Sequence, residues 1–395
     1  MKVLQLHAGY RTPAGEDTVV AAEAATLERA GHEVRQVNTH NPHGVGESIS
    51  ALVKSRYNRN AAARAAQACT EFQPDVAHIH NTWFTQSSSV IDAVADAGVA
   101  SVMTIHNYRL GCLSADLFRG NDTCTSCVGR SPIKGVFHGC YRGSRPLSAV
   151  MAVEVMSTRR RSTLDRIDRF VAPSAFMADR LIDIGLPSQR LCVKPHFTPD
   201  PGPRSNAPSE SDNVLFIGRL ASAKGIRTLL RAWERSTHRS AADVSDGPLR
   251  LTIIGDGPLA AEARESAPRG VEFTGWLPHA EVQQRMLASR AFVFPSEWYE
   301  PFGMVLIEAM AAGLPVVTTN ASDAVRITGT PSALVAPSGD DRALSGCIDR
   351  LSDDTVDEVG RQGRDRFESM YSEAVGVDAL VSLYRSVIES AQAAP

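Results

Sequence analysis

Ala291-Phe292-Val293-Phe294-Pro295-Ser296-Glu297-Trp298-Tyr299-Glu300-Pro301-Phe302-Gly303-Met304-Val305-Leu306-Ile307-Glu308-Ala309-Met310 reads as strand, loop and helix in succession. Ala291–Pro295 is short and wholly apolar, the pattern of a strand covered on both faces of a parallel sheet. Pro301 lacks an amide proton and suits a helix start, and Gly303 lets another backbone or a ligand come close. Val305, Leu306, Ala309 and Met310 recur at helical spacing as a buried face, which Gly313 can end. The amides of Gly303, Met304 and Val305 would then lack helical partners at the positive end of the helix dipole, where a phosphate is favoured. Two carboxylates flank that position, Glu300 before the helix and Glu308 inside it. A carboxylate in so apolar a helix needs donors: paired ribose hydroxyls would serve, and so would a neighbouring arginine.

The same strand-then-loop pattern recurs on both sides of this stretch. Asn213–Gly225 (NVLFIGRLASAKG) runs from an apolar strand into a turn bracketed by Arg219 and Lys224. Two cations at a strand's carboxyl end can neutralise a diphosphate, arginine as a fork and lysine as a point charge, or can stand solvated on a surface turn. Further strands are expected at Val214–Ile217, Leu251–Ile254, Val271–Thr274, Pro315–Thr319 and Ala333–Ala336. An earlier series is expected at Val3–His7, Glu33–Asn38, Val76–His80, Ser101–His106, Arg169–Pro173 and Leu191–Pro195. A helix from about Asp17 to Ala30, with Asp17 as its cap, separates the first two of these. Thr198–Asp212 holds four prolines and reads as a linker. Strands alternating with helices imply an α/β class. The expectation is two Rossmann-like parallel-sheet domains, residues 1–198 and 199–371, facing across a cleft, with residues 372–395 a helix returning to the N-terminal domain.

Composition narrows the function classes. The chain has 395 residues, which suits two domains of roughly 150–200 residues each. A net charge of −3 argues against a nucleic-acid binder, and 6% aromatics argue against a stacking platform for bases. Only five of the 41 basic residues are lysine, so a lysine inside a motif carries extra weight. Apolar runs are too short to span a membrane, and the start is polar by Gln5, so a cytoplasmic protein is expected.

The two motif segments together resemble the family-4 glycosyltransferases, retaining enzymes of GT-B fold with a Glu-x7-Glu motif. Gly255-Asp256-Gly257-Pro258, Phe273–Pro278 and the Glu300/Glu308 pair follow in that order, and Gly9–Val19, Pro74–His80 and Thr104–Asn107 resemble pieces of the family's acceptor domain. This chain has Ala14-Gly15-Glu16-Asp17 where many members have paired glycines. The resemblance implies a nucleotide-diphosphate sugar donor of UDP or GDP type and a hydroxyl acceptor, lipid-linked glycan or small molecule. It implies that Arg219 and Lys224 hold the diphosphate with the amides of Gly303, Met304 and Val305. Glu308 would take the ribose, the Trp276-Leu277 backbone the base, and Glu300 and His106 the sugar. Gly15, Glu16 and Asp17 would lie in the acceptor and phosphate loop. No nucleophile on the opposite sugar face is identifiable, so a front-side substitution with retention is expected, with no cofactor or metal in the transfer step. An epimerase on the same fold and a non-catalytic nucleotide-sugar-binding protein are the alternatives.

Two features stand outside that assignment. Cys112, Cys124, Cys127 and Cys140 cluster in the glycine-rich segment 111–144, and the C-x2-C pair has a zinc-knuckle spacing. A structural zinc clip, with His138 as a substitute ligand, competes with free buried thiols or disulfides. The arginines of Arg142–Arg169 could meet an anionic membrane at the inner face or form a solvated helix face.

Overall fold

The computed structural model describes residues 1–10, 15–40, 57–83, 85–160, 162–236, 249–331, 334–352 and 355–393. The chain forms two compact units. The first comprises Met1–Leu117, Cys124–His196 and Gly376–Pro395, and the second Phe118–Thr123 and Phe197–Val375.

In the first unit six parallel strands form one sheet: β1 (Lys2–Gly9), β2 (Glu33–His40), β3 (Val76–Ile79), β4 (Ala100–Thr104), β7 (Arg169–Ala172) and β8 (Leu191–Val193). Their order is β2-β1-β3-β4-β7-β8, which reverses direction between β1 and β3. Side chains alternate across a strand, so Val3 and Val76 reach one face together with Val102 and Val171. Val377, Leu380, Tyr384 and Val387 of the helix Glu373–Ala393 pack on that face. The Tyr384 hydroxyl meets His78 Nδ1 at 2.7 Å, which gives a buried polar tip its partner.

The second unit repeats the plan with β9 (Asn213–Ile217), β10 (Arg250–Ile254), β11 (Val271–Gly275), β12 (Ala291–Phe294), β13 (Val316–Thr319) and β14 (Val335–Ala336), in the order β11-β10-β9-β12-β13-β14. Val214 and Phe216 of β9 join one core with Ile226, Leu229 and Trp233, while Leu215 joins the other with Phe292, Leu306 and Met310. Both faces are therefore buried, which is why these strands read as unbroken apolar runs. The order reverses between β9 and β12, and ligands of open α/β sheets bind where it does.

Several local expectations need correction. The first helix is Gly15–Arg29, so Asp17 lies within it and is no cap. Its Oδ1 instead accepts from His7 Nε2 at 2.9 Å and from the Tyr10 amide at 3.2 Å. The helix after β12 starts at Met304 rather than at Pro301, because Gly303 takes a left-handed conformation (φ +87°) as its cap. Segment 111–144 contains a small hairpin, β5 (Phe118–Arg119) with β6 (Asp122–Thr123), and the helix Ile133–Phe137. Residues 11–14, with Ala14 of the glycine loop, and Ala333 lie outside the described residues.

Leu380 is fully buried against the first sheet. Leu380→Ala should cost about 2–5 kcal/mol, read as a lower urea midpoint with secondary structure retained at zero denaturant.

Candidate functional site

The second unit gathers its chemistry at the reversal between β9 and β12. Gly225 ends the loop after β9 at φ +70°, and a Cβ there would stand 1.8 Å from the Pro295 carbonyl oxygen at the end of β12. Only glycine permits that approach, and it brings Lys224 beside the 295–303 loop. Lys224 Nζ forms an ion pair with Glu300 Oε2, and Trp298 Nε1 donates to the same oxygen at 2.7 Å. Lys224 Nζ also lies 5.1 Å from the centre of the Trp298 ring. Glu300 is 8% exposed, so two donors orient a nearly buried carboxylate. The two residues assigned to diphosphate and to sugar thus touch each other. Arg219 is exposed and makes no ion pair among the described residues.

No side chain caps the helix Met304–Ala311, and its first intrahelical bond runs from the Leu306 amide to the Gly303 carbonyl. The Met304 and Val305 amides therefore have no intrahelical partner. Glu308 lies in that helix, and burial raises its carboxyl above the ordinary range, with His279 opposing. No arginine meets it among the described residues. Leu277 packs against the apolar cluster under this helix, whereas Trp276 is 76% exposed.

The first unit has its own recess, lined in part by Glu16, Trp83, His106, Asn107, Arg109 and Glu154. Glu16 accepts from the Tyr10 hydroxyl at 2.9 Å, while its Oε1 is sealed from solvent and has no hydrogen-bond partner among the described residues. Burial raises its carboxyl to about 7, against the lowering effects of Tyr10 and Arg109. The Arg109 guanidinium lies 4.2 Å from the Trp83 ring centre. Gly15 opens the first helix with nothing within 4 Å of where a Cβ would stand. His106 lies between two other imidazoles, stacked at 5.4 Å on His80 and 5.3 Å on His196.

Beneath these rings lies a network that the sequence reading missed. Glu23 and Lys194, 1% and 6% exposed, form an ion pair at 2.7 Å. Burial alone would push the Glu23 carboxyl up, but Lys194 and, to a lesser degree, His78 hold it below its ordinary value. Burial pushes His78 down to about 4 and His196 to about 3, and drives His80 and His106 well below the usual imidazole range. The signal was present: a glutamate on the helix face of Val19, Val20 and Leu27, and one of only five lysines at a strand end.

No disulfide joins the cysteines of segment 111–144 to each other or to the other three among the described residues. Burial raises Cys127, with Cys112 and Cys124 adding to it, while the backbone of Gly135 opposes by a hydrogen bond. Cys140 packs by Leu113 and Met151. Most of the described arginines between 142 and 169 serve as ties. Arg145 donates to the Phe137 carbonyl, Arg159 to those of Leu110 and Arg130, and Arg169 to that of Gln189, while Arg166 pairs with Asp92 and Asp96. Among the described residues no helix is long and apolar enough to cross a membrane.

Comparison with known proteins agrees with this layout. The profile described as glycosyl transferase 4-like domain matches residues 14–196, and that of glycosyl transferases group 1 matches residues 211–354. O-antigen chain mannosyltransferase C of Escherichia coli is 32% identical over 185 residues, 45% of this chain and 47% of that protein. The chain spans 47–65% of the length of the first curated relatives it matches. Sucrose-phosphate synthase from Thermosynechococcus elongatus superposes with a TM-score of 0.68 at 18% identity, over 98% of this chain and 99% of that one. HepE of Anabaena, solved with UDP and glucose, gives 0.65 at 16% identity, over 98% and 100%. The chain belongs to the family-4-like glycosyltransferases of GT-B fold, a glycosyl transferase 4-like domain followed by a group 1 domain.

Proposed function

We propose that the protein transfers a sugar from a nucleoside-diphosphate sugar to a hydroxyl of a glycan or small-molecule acceptor, with retention at the anomeric carbon. The observation that carries this reading is the reversal of the second sheet, where the loop after β9 brings Lys224 and Arg219, and the helix after β12 brings two uncapped amides and the Glu308 carboxylate, which no arginine meets among the described residues. Cations and amides suit a diphosphate, and a carboxylate short of donors suits a diol. The relatives named for O-antigen chains and the neighbour solved with UDP and glucose support the same substrate classes.

In the transfer, the bond from the anomeric carbon to the diphosphate breaks and the leaving oxygen keeps the electron pair. The acceptor hydroxyl attacks from the same face, and its proton passes to a leaving-group oxygen. Arg219 and Lys224 stabilise the charge that develops on the diphosphate, in place of a divalent ion. Glu300, oriented by Trp298, faces the sugar and offsets positive charge at the anomeric carbon. His106 meets a sugar hydroxyl, and the recess around Glu16, Trp83 and Arg109 receives the acceptor. Cys112, Cys124, Cys127 and Cys140 hold a structural zinc. Their sulfurs are not gathered as a close set among the described residues, so a zinc there would have to draw the segment together.

Lys224→Ala should lower turnover by about 10²–10³-fold while brief EDTA treatment leaves the wild-type rate unchanged; a wild-type rate in the variant sinks the assignment. Glu308→Ala should weaken nucleotide binding about 10–100-fold by calorimetry for a ribonucleotide, and leave a 2′,3′-dideoxy analogue unaffected. Elemental analysis should find one zinc per chain, lost in Cys124→Ser/Cys127→Ser; zinc-free protein from zinc-replete cells would refute the clip.

A further inference from the structure

His80 and His106 face each other nitrogen to nitrogen, with His80 Nδ1 3.1 Å from His106 Nε2. Both rings are neutral, since burial drives both well below the usual imidazole range. One nitrogen must therefore donate and the other accept, and two arrangements satisfy this. In the first, His80 carries its proton on Nε2 and His106 Nε2–H donates to the bare His80 Nδ1. In the second, His80 Nδ1–H donates, His80 Nε2 is bare, and His106 carries its proton on Nδ1.

Glu23 separates the two. Its Oε1 accepts from Lys194, and its Oε2 lies 3.6 Å from His80 Nε2, beyond hydrogen-bond length but well within electrostatic reach. The second arrangement would aim a bare lone pair at a carboxylate oxygen in a site 0–2% exposed, whereas the first aims an N–H there. His78 Nδ1 is also 3.6 Å from that oxygen, but both of its nitrogens already have partners, Tyr384 and Thr104. The donor atoms of Glu23, His78 and His80 lie close enough for one ion, yet the Lys194 ammonium already supplies the balancing charge.

We propose that Glu23 is a positioning residue which, through His80, holds His106 in its Nε2–H tautomer and leaves Nδ1 as a hydrogen-bond acceptor for a sugar hydroxyl. The tautomer follows from geometry within the first unit, while the hydroxyl rests on the reading of His106 as a sugar contact. A ligand carrying a hydroxyl is matched, and its deoxy or keto analogue, having no proton to donate there, is refused.

The test is a long-range proton–nitrogen spectrum of ¹⁵N-histidine-labelled protein at pH 7.5, with His106 identified by its loss in His106→Gln. The expected pattern is a pyrrole-type Nε2 and a pyridine-type Nδ1 on His106. In Glu23→Gln/Lys194→Met, which removes both charges together, the carboxamide can donate to His80 Nε2 and the His106 pattern should shift toward Nδ1–H. A wild-type His106 that is Nδ1–H or imidazolium overturns the proposal, as does an unchanged pattern in the folded double variant. Should that variant not fold, the wild-type spectrum decides alone. The spectrum needs no ligand, so its failure is distinct from that of the sugar assignment, which falls if His106→Ala leaves donor affinity unchanged.

Discussion

The reversal between β9 and β12 in the second unit depends on one close approach. At Gly225 the loop after β9 passes so near the Pro295 carbonyl that any side chain would collide with it. That contact seats two loops from opposite sides of the sheet reversal against each other. Lys224 consequently reaches Glu300, and Trp298 can share the same carboxylate oxygen. The Gly303 turn then sets the following helix so that its first amides are uncapped. An anion arriving there finds Lys224 already partnered, and so competes with a carboxylate for the ammonium. Such an arrangement favours a ligand of high charge density over a neutral one.

The first unit is organised around the opposite problem, charge taken out of water. A buried ion pair is a poor way to gain stability, because desolvation of both partners consumes most of the attraction. Glu23 and Lys194 are better understood as fixing a direction for the imidazoles around them. The burial that keeps those rings neutral also makes their hydrogen bonds directional and leaves little water to exchange partners with.

Much of this was legible in the sequence, for physical reasons that differ by element. Strands covered on both faces announce themselves as short apolar runs, and Val214–Ile217 and Ala291–Phe294 stand where the pattern puts them. The helix start after β12 was displaced by three residues, because the proline rule describes helix entry in general and the left-handed turn at Gly303 overrode it. Asp17 reads as a cap by residue type, but a carboxylate inside the first turn can instead turn toward a histidine on the adjoining strand. The Glu23–Lys194 pair joins residues 171 positions apart, and no local periodicity encodes such a partnership. A charged residue on an apolar helix face signals that a partner exists without saying which.

The chain leaves the first unit near His196 and re-enters it at Gly376. Ribosomal synthesis is vectorial, so the segment bearing Val377, Leu380 and Tyr384 emerges only after the whole second unit has been made. Until then the sheet face of Val3, Val76, Val102 and Val171 lacks that cover, and His78 lacks the Tyr384 hydroxyl. The nascent first unit is thus a sticky half-built body for the time needed to translate nearly two hundred further codons. A chain cut short before Gly376 leaves that face without the cover of Val377, Leu380 and Tyr384.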